Sequence, residues 1–117
     1  VALVASGSLT AQTSSTCAAA SCLTLPSNAL VGSVGWQITG TFVGTVTFEG
    51  SVDGINFTGV GVFPPVTSGS SRVYQATATA PGVFIQPVVG MATVRARCSA
   101  YTSGTIVVTG RRNGLTP

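Results

Sequence analysis

The sequence predicts an all-β protein, a single antiparallel β-sandwich or jelly-roll-like domain with an extended N-terminal arm. Three observations lead there. From Leu30 onward apolar residues recur at every second position, the period of strands that bury one face. Turn pairs and Gly/Pro breaks interrupt that pattern repeatedly, so the strands are short and numerous, about seven or eight in all. Val, Thr, Gly, Ser and Ala dominate and no apolar i, i+3, i+4 run occurs, so no amphipathic helix is supported. The chain of 117 residues suits one domain with one core.

Residues 1–29 read as the arm, rich in Ala, Ser and Thr and nearly low-complexity from Ser14 to Ser21. One short strand is expected near Val4 to Gln12, where Leu9 and Ala11 alternate with polar residues. A weak helical alternative lies at the alanines between Cys17 and Cys22. Pro26-Ser27-Asn28 marks a turn, and residues 30–117 form the sandwich. Val34, Trp36, Ile38, Gly40 and Phe42 share one face, and Val46 and Phe48 repeat the pattern with Thr45, Thr47 and Glu49 opposite. Asp53-Gly54 predicts a hairpin between Thr45–Val52 and Ile55–Phe63, since Gly accepts positive φ and Asp bonds its own backbone. Pro64-Pro65 ends that strand, and Thr67 to Ser71 is a polar loop. Arg72–Thr79 alternates again, and Ala80-Pro81-Gly82 is a turn. Val83–Ile85 is a short strand that Pro87 ends or assigns to an edge. Along Ala92–Tyr101, Val94, Ala96 and Cys98 face one way and Arg95, Arg97 and Ser99 the other. Ser103-Gly104 predicts a second hairpin, onto Thr105–Gly110, leaving Arg111–Pro117 as a tail.

Only 6% of residues are charged, against roughly 25% in ordinary domains. The net charge of +3 is carried by arginines alone, and Glu49 and Asp53 are the only acids. So little charge makes a poor free surface, and other subunits are expected to cover much of it, as in a homotrimer or another homo-oligomer. The five arginines form no dense stripe, so direct nucleic-acid binding is not expected. No run approaches the ~18 apolar residues of a spanning helix, and Val-Ala-Leu-Val is too short for a signal-peptide core.

Catalysis is not expected. Without His there is no Ser-His or Cys-His pair, and without Lys no Schiff base. Glu49 and Asp53 are the only carboxyl pair. With Asn56 they make at best a weak calcium site, so no cofactor or metal is expected. Three thiols and no imidazole fall short of a zinc site. Free thiols are the favoured state of Cys17, Cys22 and Cys98, with a small Cys17–Cys22 loop as the alternative. Trp36 shares its phase with Val34 and Ile38, which favours a core position over a sugar-stacking one. The candidate interface is the arginine set. Arg95 and Arg97 share a strand face, and hairpin pairing would bring Arg111 and Arg112 to the same end. Such a patch would grip acidic groups of a neighbouring protein, or else form a solvated face.

Trp36-Gln37-Ile38-Thr39-Gly40-Thr41-Phe42, Gly44-Thr45-Val46-Thr47-Phe48-Glu49-Gly50-Ser51 and Asp53-Gly54 together resemble a β-sandwich block recurrent in bacteriophage virion proteins. Val94-Arg95-Ala96-Arg97, Tyr101-Thr102-Ser103-Gly104-Thr105 and Val107-Val108-Thr109-Gly110 resemble the closing hairpin of the same group. The blocks cover residues 36–57 and 91–112. The resemblance implies a structural role on the virion, made in the host cytoplasm. The leading expectation is a head cement or decoration subunit that stabilises the capsid by binding the major capsid protein, with the 1–29 arm ordered only against neighbours and protease-sensitive in the free subunit. The alternatives are a tail- or fibre-associated module that recognises a host surface glycan and a small secreted adhesion domain, the latter expected to carry a Cys17–Cys22 disulfide.

Overall fold

Val34, Trp36 and Ile38 leave their strand toward a shared core, while Gln37 and Thr39 point to solvent. That division, repeated strand by strand, builds two facing sheets in the computed structural model, which describes residues 4–13, 17–25, 33–60, 62, 75–88 and 90–112. The strands are β1 Val4–Leu9, β2 Cys22–Leu25, β3 Ser33–Thr39, β4 Phe42–Ser51, β5 Thr58–Gly59, β6 Thr77–Ala78, β7 Gly82–Pro87, β8 Thr93–Gly104 and β9 Ile106–Arg112. The first sheet has the order β1-β9-β3-β7 and the second β2-β8-β4-β5, with β6 also paired to β4. All pairings are antiparallel. β5 and β6 share one place beside β4, and an antiparallel bridge joins Val62 to Gln75 between them. With that place counted once there are eight strand positions, four in each sheet, with β9 between β1 and β3 and β8 between β2 and β4. This interleaving of early and late strands across two sheets is the jelly-roll arrangement.

The core lies between the sheets. Leu9, Leu25, Val34, Trp36, Ile38, Val46, Phe48, Phe84, Val94, Ala96, Cys98, Ile106 and Val108 are all buried in it. Trp36, Phe48 and Phe84 form its centre, with ring centroids 6.0 and 5.4 Å apart in sequence. Trp36 fits because its cross-strand partner is Gly110, where a Cβ would come within 2.8 Å of Cζ3. Its indole Nε1 donates to the buried Gln86 Oε1 at 2.7 Å, so the ring's polar atom is satisfied inside.

Two sheet-to-sheet corners pass beside one another. Gly40-Thr41 carries the chain from β3 to β4, and Thr105 carries it from β8 to β9. Thr105 N donates to Thr41 O at 3.1 Å. Gly40 and Gly104 both have positive φ, +100° and +89°, and a Cβ on either would overlap a backbone oxygen of the other corner. These corners correct the expected closing hairpin: β8 and β9 follow one another in sequence but lie in opposite sheets. Ser103-Gly104 was legible as a turn. The inward faces of both strands, Val94/Ala96/Cys98 and Ile106/Val108, are satisfied only when the strands face each other across the core.

The described residues of the segment expected as an arm, 4–13 and 17–25, are built into the sandwich. β1 and β2 are edge strands, one in each sheet, and Leu9 and Leu25 are fully buried. Thr10 N and Ala11 N donate to Ala20 O, Thr13 N to Cys98 O and Cys98 N to Ser21 O, which ties the crossing between them. Limited proteolysis of the isolated chain should therefore spare residues 4–13 and 17–25, contrary to the protease-sensitive arm expected of a cement subunit, and early cleavage there would count against this packing.

Cys17 and Cys22 form a disulfide, with Cα atoms 5.3 Å apart across a tight turn rather than a helix, and only Cys98 is a free thiol. The turn at residues 18–21 brings the cysteines together, which spacing alone could not show. Arg111 and Arg112 extend β9 instead of opening a tail. Pro26-Ser27-Asn28, Pro64-Pro65, the 67–71 loop, Arg72 and Tyr74 lie outside the described residues.

Candidate assembly interface

On the outward face of the second sheet, Glu49 stands opposite Arg95, and Thr47 opposite Arg97. Arg95 Nε donates to Glu49 Oε1 at 2.6 Å. Arg97 Nε lies 3.2 Å from the same oxygen as an ion pair, without hydrogen-bond geometry, while its Nη1 donates to Thr13 O at 2.6 Å. Phe57 folds back from the loop after β4 so that the Arg95 guanidinium sits 4.0 Å from its ring centroid. The 10–13 segment and the 52–57 loop thus cover a face that alternation alone assigns to solvent. Both Glu49 and Arg95 are buried.

The four arginines expected as one patch are divided. Arg95 and Arg97 serve the cluster on the second sheet. Arg112, on β9 of the first sheet, is buried with interactions of its own. Arg111 alone is exposed, on the outside of the first sheet, flanked in register by Val4 and Gly35. The reason is the corner: β8 and β9 do not pair, so their outward residues point to opposite sides of the molecule. With Val4, Gly35, Trp36, Gln37, Val83 and Thr109, Arg111 lines a shallow dent of about 280 Å³. Gly35 makes the dent, since a Cβ there would meet nothing within 4 Å. A glycine at an outward strand position among larger residues was the available signal, and periodicity does not register it.

The two carboxylates play separate parts. Glu49 is held by arginines. Asp53 Oδ1 accepts from Ser51 Oγ and from the backbone N–H groups of Ile55 and Asn56, each at 2.8 Å, and Oδ2 accepts from Asn56 Nδ2 at 2.7 Å. Gly54, at φ +80°, completes the turn. These donors, led by the Asn56 and Ile55 backbone N–H groups, hold the Asp53 carboxyl well below the usual carboxylate range. The loop therefore keeps its full stabilisation above about pH 4, the unfolded value, and loses it as acid protonates the folded carboxyl. The stability difference between wild type and Asp53→Asn should accordingly be constant near neutrality and shrink at strongly acidic pH. A difference that does not change with pH would refute this origin. Among the described residues no group of three or more His, Cys, Asp or Glu side chains is placed to hold a metal ion.

No family model matches the chain, and no curated protein is similar to it in sequence. One solved structure shares its fold. The crystal structure of SPBc2 prophage-derived protein YomS superposes with a TM-score of 0.59 at 12% sequence identity, over 95% of this chain and 96% of that one. The jelly-roll is thus common to both chains almost from end to end. The other candidate site residue, Trp36, lies wholly inside that fold and offers no ring face to a sugar.

Proposed function

We propose that this chain is a phage virion structural protein, a head cement or decoration subunit that works without catalysis and binds the major capsid protein as a homo-oligomer. The observation that carries this reading is the end-to-end likeness to a prophage-derived protein. It falls on the same chain whose residues 36–57 and 91–112 resemble virion β-sandwich blocks. The distribution of charge agrees. Glu49 neutralises arginine internally, so the outside of the described molecule is mostly hydroxyl, backbone and aliphatic, the surface of a subunit that neighbours cover. The Cys17–Cys22 disulfide is the mark expected of a small secreted adhesion domain, and it equally suits a particle that meets an oxidising medium, because disulfides persist at virion surfaces as well as in secreted proteins. The glycan-binding alternative loses its aromatic residue with the burial of Trp36.

The test is the copy number of this chain in purified virions relative to the major shell protein. Hundreds of copies in a fixed ratio are expected. A few to a few dozen would move the protein to the neck, tail or fibres, and complete absence would overturn the virion reading.

A further inference from the structure

Among the described residues five large apolar side chains are exposed, and four of them fall in two places. Val52 and Ile55, 74% and 80% exposed, flank Asp53 at the tip of the loop between β4 and β5. Val4 and Val83, 47% and 42% exposed, flank the dent beside Arg111 on the outside of the first sheet. One place is a projecting knob of aliphatic, carboxylate, glycine, aliphatic. The other is a recess with aliphatic walls and a guanidinium at its rim. We infer that the Val52–Ile55 loop of one copy docks into the Gly35–Arg111 dent of the next, joining copies of this chain head to tail.

The occupant follows from charge. Arg111 is exposed, and its side chain makes no hydrogen bond or ion pair among the described residues. The whole sequence holds two acids, and Glu49 is buried against Arg95 and Arg97. If a second copy fills the dent, Asp53 is the one carboxylate it can bring. Its position is set in advance by the four hydrogen bonds it accepts within its own loop, so little order remains to be imposed on docking. Those bonds leave Asp53 charged and its Oδ2 with one donor among the described residues, Asn56 Nδ2, so a guanidinium can still approach it.

The knob and the dent lie on different sheets, so the contact is heterologous, and it closes into a ring if the rotation between copies allows. The inference takes from the functional reading only that copies of the chain associate. Attachment to a shell is read separately on virions, so either can fail alone.

The test is the mass of the isolated chain in solution by light scattering after size exclusion. An oligomer is expected, weakened by salt. Gly35→Leu fills the dent without touching the fold, and Arg111→Glu reverses its charge. Each should give a folded monomer by circular dichroism, while Arg111→Lys should remain associated. A knob variant, Val52→Ser with Ile55→Ser, should also be monomeric. When mixed with Gly35→Leu it should form a one-to-one heterodimer, because one intact knob and one intact dent remain. A monomeric wild type, an oligomer that survives both dent variants, or a mixture that stays monomeric would each overturn the inference.

Discussion

Glu49→Gln is expected to destabilise the domain by about 3–5 kcal/mol, read as a lower urea midpoint at unchanged slope. The substitution keeps shape and volume but removes the single negative charge held between Arg95 and Arg97. Both arginines would then remain on one sheet face beneath the 10–13 segment and Phe57, with like charges two residues apart on β8. A buried charge without its counter-ion costs far more than the intact pair contributes. The same reasoning predicts that replacing Glu49 and Arg95 together by leucine costs much less than Glu49→Gln, since no unpaired charge of that pair remains. A Glu49→Gln loss below about 1 kcal/mol would mean that water reaches the arginines and that this face is open.

Gly104→Ala is expected to cost about 3 kcal/mol or more and to leave little folded protein at physiological temperature. Two penalties combine. The backbone at φ +89° disfavours any L side chain, and the new methyl would overlap the Thr41 carbonyl and come within 2.6 Å of Phe42 Cα. Neither obstacle is a movable side-chain end. Both belong to the other corner, which is fixed by the Thr105 N to Thr41 O bond. Gly54→Ala provides the control. Its φ is also positive, but its Cβ would meet nothing within 4 Å, so it should show the backbone penalty alone. Equal losses at the two positions would refute the crossing of corners as the cause.

The interior of the fold was legible where side chains alternate in size and polarity. Val34-Gly35-Trp36-Gln37-Ile38 and Val94-Arg95-Ala96-Arg97-Cys98 announce their inward faces, and the structure buries Val34, Trp36, Ile38, Val94, Ala96 and Cys98. Pro87 at the end of β7 correctly signalled an edge. β1 was legible as the strand expected near Val4 to Gln12, but its place in the sandwich was not, because its inward residues before Leu9 are Ala5 and Gly7, too small to carry a period although Ala5 packs against the core. The disulfide was hidden because it depends on a turn, and turn geometry between cysteines is not a property of their spacing. The arginines show the same limit. Alternation assigned Arg95 and Arg97 to the outward face correctly. Nothing local could tell that two distant segments would fold over that face, or that β9 would carry Arg111 to the far side of the molecule.

The place of the last two strands also governs how the chain can reach this structure. β8 alone connects β2 to β4, and β9 alone connects β1 to β3. Until both have been synthesised, the earlier strands lack their hydrogen-bonding neighbours and can form no native sheet beyond β3 with β7 and β4 with β5 or β6. Nearly every stabilising pairing therefore closes a long loop, which places folding on the slow side, milliseconds to seconds, with unpaired strand edges open meanwhile. A nascent chain of this design is a target for premature association with its own copies. Chaperone binding or low temperature during production should therefore raise the yield of native chain.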